Sequence, residues 1–334
     1  MMSSLKFILN TQLKRSGINN TNSGFTLIEL LVAMILAFLV ITPLMGFMIS
    51  MMDSDRKEQA KASTEQEIQA ALDYMARDLQ QAVYIYDADG LTRNSNTTTI
   101  SSSGIQDQIP PVKTATNCND SAVCKPILVF WKREFLPNSI GISANTQTSA
   151  TLTDDGFAYS LVAYYLITNP NKANPNWSRE ARIGRFQIRG QVAAATANTT
   201  GRGSDPGFNK PPLDKIGATL KEKMNQWQAA SANYDQPVVT LVDYVSTTAP
   251  GLTVNSSVTA TACPGLNPTP KLVGSQTSGF FVCVDAPEVL AQVYLTGNAL
   301  ARVQDNALTY ADSKRNYFPS VNIRNQGRGY LFTK

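Results

Sequence analysis

The chain has 334 residues, 43% of them hydrophobic, which is enough for one large or two modest domains with a real core. It contains no histidine, so Ser-His-Asp and Cys-His catalysis are excluded. The formal net charge is +4, but Lys6, Lys14 and Arg15 lie in the first 24 residues with no acid among them, and without these three the side-chain charge falls from +4 to +1. A chain so close to neutral gives no argument for nucleic acid.

The polar, basic leader ends at Gly24, and a long apolar run follows from Phe25 to about Met52, with Glu29 as its only ionisable side chain. As a helix the run would be about 42 Å long, more than the roughly 30 Å hydrocarbon core of a bilayer. The surplus suits a helix that later packs outside the membrane. Pro43 and Gly46 lie inside the run; proline removes one helical hydrogen bond and kinks or locally melts the helix. The leader lacks a compact apolar core, and no Ala-x-Ala site follows the run, so the apolar segment is expected to stay in the product. The basic leader predicts a cytoplasmic N-terminus and an external C-terminal region.

Gly24-Phe25-Thr26-Leu27-Ile28-Glu29, with the basic leader before it and the apolar run after it, resembles the class III signal of type IV pilins and type II secretion pseudopilins. The resemblance implies that a prepilin peptidase cuts after Gly24 and methylates the new N-terminal Phe25. It implies that Glu29 meets the amino terminus of a neighbouring subunit and sets the axial stagger during assembly. It further implies local unwinding near Pro43 in the filament. The implied partners are the prepilin peptidase, other major and minor pilins or pseudopilins, and an inner-membrane assembly platform. A carboxylate in a membrane costs roughly 2.5–3.5 kcal/mol by insertion scales, which fits a residue with a job; the bland alternative is a charge tolerated near an interface. For Pro43 the alternative is an ordinary kinked span.

Beyond Asp53 the helix is expected to continue. Ile68, Leu72, Met75, Leu79 and Val83 recur at helical spacing, and the charges, Asp73, Arg77 and Asp78 among them, lie mostly off that face. The segment from Phe25 to about Tyr86 therefore reads as one helix, apolar all round in its first half and amphipathic in its second. Asp87-Ala88-Asp89-Gly90 is expected to be a turn that ends it; a calcium loop is the alternative, and its full pattern is absent. The predicted organisation is a cleaved leader at 1–24, a transmembrane and filament-core helix at 25–52, its amphipathic continuation at 53–90, and an extracytoplasmic β-rich head at 91–334.

In the head, residues 92–119 and 137–155 read as loops and 127–131 as a buried strand. Tyr159 to Ile167 reads as a strand, and Arg182 to Arg189 as a half-buried strand with Arg185 and Arg189 on one face. Those arginines either line a solvated surface or meet an acidic partner. Leu213, Ile216, Leu220, Met224 and Trp227 predict a short amphipathic helix, and 237–245, 280–284 and 289–295 predict strands, the last two antiparallel neighbours. The tail from Asp305 reads as loop or weak strand. Cys118, Cys124, Cys263 and Cys283 all follow the apolar segment, and each close pair, Cys118–Cys124 and Cys263–Cys283, is expected to form a disulfide in an exported domain. A zinc site is the rival reading, and without histidine it would need all four cysteines.

The order of a Tyr-Tyr-Leu strand (Tyr164 to Leu166), an Arg-rich segment, Leu241-Val242-Asp243-Tyr244-Val245 and a late strand from Pro287 to Val293 resembles the larger minor pseudopilins, the J-type of type II secretion and the W-type of type IV pili. The stretch from Glu65 to Gly90 is similar to cyanobacterial pseudopilins linked to hormogonium polysaccharide secretion. The implied fold is α+β and type IV pilin-like: a long N-terminal helix packed on an antiparallel β-sheet head with long loops. The implied role is a minor pseudopilin near a filament tip that supports secretion, of polysaccharide in one version, or motility. A glycan- or surface-binding adhesin is the alternative, for which exposed aromatics such as Trp177 would have to form a cleft. The implied location is the inner membrane before assembly and a pilus or pseudopilus after it. No motif points to an enzyme, a metal or a cofactor. Paired acids such as Asp154-Asp155 sit in polar surroundings, where solvated surface is the default.

Overall fold

The computed structural model describes residues 24–142, 152–192, 199–201, 203–249, 263, 271–304 and 308–329. The leader lysines and arginine fall outside them. The chain divides into two units, Met1–Asp55 and Arg56–Lys334.

Helix α1, Leu27–Gln80, runs through both. Every side chain from Phe25 to Met52 is exposed. In the second unit α1 buries Ala60, Thr64, Ile68, Leu72, Met75 and Leu79 along one stripe, the spacing that puts residues on one helical face. The helix is shorter than its periodicity suggests. It stops at Gln80, and Ala82–Ile85 form strand β1, with all four residues buried. Val83 continues the helical spacing but lies in β1: two distant segments of the chain bond the carbonyls at the helix end, Arg328 N–H donating to Gln80 O (3.0 Å) and Arg133 N–H to Gln81 O, just past it (3.2 Å). Those tertiary bonds satisfy groups that a continuing helix would have used itself.

The first sheet is antiparallel in the order β1-β2-β3-β4-β6, with β2 Cys124–Ile142, β3 Leu152–Ile167, β4 Ala181–Arg189 and β6 Val239–Val245; β5, Thr199–Gly201, pairs the far end of β2. The second sheet is antiparallel in the order β10-β9-β8-β7, from Ser320–Gln326, Leu290–Thr296, Phe280–Asp285 and Lys271–Gly274. The sheets meet where Val245 bridges Gly297. A side chain at Gly297 would put its Cβ 2.4 Å from Thr64 Cγ2, so the small residue lets the sheet junction lie against α1.

The region read as a loop at 137–155 is strand where described, and the tail read as loop or weak strand holds a strand. Residues 137–142 and 152–155 extend β2 and β3 into a long hairpin, paired Ile140 with Asp154 and Ile142 with Leu152. Ser320–Gln326 pairs with β9 along its whole length. The expected helix around Leu213–Trp227 shrinks to α3, Leu220–Met224, capped by Thr219. Met224 and Trp227 are buried, while Ile216 is 83% exposed and takes no part in a helical face.

The Asp87–Gly90 segment starts a short helix, α2 (Ala88–Thr92), with Asp87 as its cap. Lys221 reaches Asp87 (2.6 Å) and Asp89 (2.7 Å), and Lys271 also pairs with Asp89. Lysines already neutralise the two carboxylates, which closes the calcium alternative there. Above this clasp Trp131 packs edge-on against Trp227 (5.5 Å) and Phe208 (5.8 Å). Its indole N–H donates to Tyr86 Oη (3.0 Å), whose own hydroxyl donates to Met224 O (3.0 Å). This ties the α3 segment to the sheet. Disulfides join Cys118 to Cys124 and Cys263 to Cys283, with Cα separations of 5.6 and 5.7 Å.

Candidate functional site

The N-terminal site is built from the first turn of α1. Gly24 and Phe25 precede the helix, and Phe25 is 86% exposed. A Cβ built on Gly24 meets nothing within 4 Å, so the local fold places no demand for glycine there. Thr26 is the N-cap: its carbonyl accepts the first helical bond from Leu30 N–H (3.2 Å). Its hydroxyl oxygen accepts from Glu29 N–H (3.3 Å), while Glu29 Oε2 accepts from Thr26 N–H (3.3 Å) and from the Thr26 hydroxyl (3.2 Å). This is a capping box, the reciprocal arrangement of Thr-x-x-Glu at a helix start. The spacing is readable in Thr26-Leu27-Ile28-Glu29, where the capping box lies inside the longer motif.

Past this turn α1 carries Leu, Ile, Val, Met and Phe on all sides. It is the one helix among the described residues that is long and apolar enough to cross a membrane. Pro43 lies inside it without breaking it. Proline cannot donate to the carbonyl four residues back. Next to it the Thr42 hydroxyl donates to Phe38 O (2.8 Å), a side-chain bond added to the backbone just before that gap.

Residues 19–45 match the family described as the prokaryotic N-terminal methylation motif. The chain carries that motif. No curated protein and no solved structure is detectably similar to the chain. The motif, the apolar helix and the antiparallel sheets together give a type IV pilin-like arrangement. The motif implies processing by prepilin peptidase and assembly with other pilins in a membrane.

A second cluster lies on the head, where period-two alternation puts polar side chains of three adjacent strands on the sheet face that α1 covers. Lys132 and Glu134 come from β2, Ser160 and Tyr164 from β3, and Arg185, Gln187 and Arg189 from β4. Asp78 of α1 accepts from Arg185 (Nη2 at 2.8 Å), Lys132 (3.0 Å) and the Tyr164 hydroxyl (2.7 Å). Glu134 pairs with Lys132 (3.1 Å) and Arg189 and accepts from Ser160 (2.9 Å). Burial alone would push the Glu134 carboxyl up, but Arg189 and Lys132 hold it below the ordinary glutamate range.

Arg185 and Arg189 therefore do share a face, as their spacing predicts; it is partly buried, and the acids that pair with it come from within the chain. Asp78, expected off the packed face, is buried on it. The readable signal was Lys132 and Glu134, charges that interrupt a buried strand at period two. Trp177 is half-buried, with the Arg182 guanidinium over its ring (5.2 Å). Among the described residues no group of three or more His, Cys, Asp or Glu side chains is placed to hold a metal ion.

Proposed function

We propose that the chain is a minor pseudopilin, a structural subunit that enters a short type IV pilus-like or type II secretion-like filament at or near its tip. The observation that carries the reading is the methylation motif at residues 19–45 running into a helix whose apolar half is exposed on every side. An apolar surface of that extent needs lipid before assembly and neighbouring helices after it. A two-sheet head on one helix is bulky for a long helical array, which favours a minor subunit over a major one. The leader is cytoplasmic, the apolar half spans the inner membrane, and the head is outside.

The chemistry is assembly. Cleavage after Gly24 makes the Phe25 nitrogen a cation, and methylation keeps it basic. Glu29 is the nearest anion on α1. Before docking, the Thr26 donors occupy its carboxylate, which lowers the cost of holding it in lipid. On docking, the amino terminus of a neighbour supplies a full positive charge and a stronger, charge-assisted bond. Apolar helices then bundle, and the head is carried outward to support export, of polysaccharide in one version, or motility.

The test is the mature N-terminus by mass spectrometry, in cells with and without prepilin peptidase activity. The reading requires a chain that begins at N-methylated Phe25 and loses that start without the peptidase. An uncut chain in both strains would reduce the apolar run to a plain anchor.

A further inference from the structure

Tyr74, Arg185, Gln187, Arg189, Asp205 and Gln236 line an open pocket of about 470 Å³ on the head, in the size range of small-ligand sites, roughly 300–1,000 Å³. Its floor is the face of β4 that carries residues 185, 187 and 189. One wall is Tyr74 of α1, and the other is the start of β6 with the residues just before it.

The floor is pre-organised. Asp78 grips Arg185 through both Nε (2.9 Å) and Nη2 (2.8 Å). Gln187 accepts from Arg185 (2.6 Å) and donates to Glu134 (3.3 Å). Arg189 is held by Glu134, and its backbone N–H donates to Asp205 (2.7 Å). Side chains fixed this way lose little freedom when a ligand arrives.

Charge decides which ligand the pocket suits. Lys132, Arg185 and Arg189 face Asp78, Glu134 and Asp205, so cations and carboxylates cancel. An anion would have to compete with buried carboxylates for the arginines and would meet Asp205 at the rim. What remains is a lining that offers N–H donors from guanidinium and amide groups, acceptors from Asp205 and the amide oxygens, and one aromatic ring. Tyr74 is 38% exposed, and the Arg185 guanidinium lies 5.4 Å from its ring centre. Sugar hydroxyls both donate and accept, and the C–H face of a sugar ring packs on an aromatic ring.

We propose that this pocket binds one or two residues of a neutral saccharide. The site lies wholly within Arg56–Lys334 and does not depend on the filament reading, so its failure would leave the cleavage test untouched. Tyr74 and Gln236 stand outside the Asp78 and Glu134 ion pairs, which makes them the positions to change.

The experiment titrates the full chain, in a zwitterionic detergent without a sugar headgroup, with maltotetraose, cellotetraose and mannotetraose, and with polygalacturonate as the acidic comparison. The expected result is binding of at least one neutral tetrasaccharide, weakened about tenfold or more by Tyr74→Ala and by Gln236→Ala. That binding should be nearly unchanged between about 0.05 and about 0.3 M salt. Each variant is checked for a wild-type melting transition, and Gln236→Ala alone decides the matter if Tyr74→Ala does not fold. Three results would overturn the proposal: no neutral probe binds, binding persists unchanged in the folded variants, or only polygalacturonate binds and salt abolishes it.

Discussion

Thr26 and Glu29 are bonded to each other in both directions across the first turn of α1, amide to carboxylate at 3.3 Å and amide to hydroxyl at 3.3 Å. The carboxylate proposed for assembly is therefore the same group that starts the helix. Removing it takes away two things, the N3 half of the capping box and an anion for the neighbour's amine. Glu29→Gln separates them, since the amide oxygen still caps but carries no charge. Glu29→Gln and Glu29→Ala are both expected to insert in the membrane and be lost from filaments, measured by fractionation of sheared filaments against membranes. Thr26→Val, which keeps the anion, should assemble at a reduced level. Wild-type incorporation of Glu29→Gln would show that the charge is not needed.

Gly24 has open space where a Cβ would go. Gly24→Ala should leave the helix and head unaltered while the leader stays on, seen as an unshifted band and a precursor mass. A normally processed Gly24→Ala chain would mean that the peptidase does not read this glycine.

The Asp78–Arg185–Lys132 contact is a buried pairing between α1 and the sheet. Breaking such a pair from one side costs about 3–5 kcal/mol, because the other charge stays buried alone. Asp78→Asn should lower the unfolding free energy of the head by that amount, read from denaturant titration, and the double variant with Arg185→Met should recover part of the loss. If single and double losses simply add, the two residues are not coupled.

Glu134 also predicts a pH dependence. Burial raises its carboxyl, but Arg189 and Lys132 outweigh that and leave it depressed. A depressed carboxyl adds stability above its unfolded pKa and loses it as pH falls through the folded value, so the loss begins below about pH 4.5. Glu180 acts oppositely. Burial pushes its carboxyl above the ordinary value despite the N–H donors of Thr247 and Leu308, so its contribution is full in acid and fades as pH rises past about 4.5. Denaturant midpoints taken from about pH 3 to about pH 7 should fall less steeply on the acid side in Glu134→Gln than in wild type. Equal slopes would remove Glu134 from the acid response.

The Cys118–Cys124 bridge pins the chain just after Thr116, whose carbonyl accepts Val238 N–H (2.9 Å), and Asn117, whose amide donates to Val238 O (3.1 Å). Replacing both cysteines by serine should cost about 2 kcal/mol and speed amide exchange at Val238. Exchange in β8 and β9 should stay as it was; a general speeding would place the bridge in global stability instead.

What could be read from the sequence was whatever repeats locally. The stripe Ile68-Leu72-Met75-Leu79 and the runs Phe280–Val284 and Val289–Leu295 are apolar enough to declare their structure unaided, and they fold as read. What could not be read depends on distant partners. Ser320–Gln326 reads only as loop or weak strand, and the edge that β9 offers decides for the strand. Pro137, Asn138 and Gly141 look like loop, yet they sit in a hairpin arm held by β3. At the ion cluster the face of Arg185 and Arg189 was visible, but Asp78 lies 107 residues before Arg185, and no spacing rule spans that distance. At the N-terminal site the mutual bond of Thr26 with Glu29 is legible in their spacing alone, because a capping box is local.

The bond from Asn325 to the Ala76 carbonyl spans 249 positions, and Arg328 closes the end of α1 from the same late segment. This sets an order of events during synthesis. The ribosome makes the helix first and its sealing strand only hundreds of residues later, so α1 waits with its packing stripe uncovered while the rest of the head is delivered. Until β10 arrives, β9 keeps an open edge and the Ala76 and Gln80 carbonyls lack these donors.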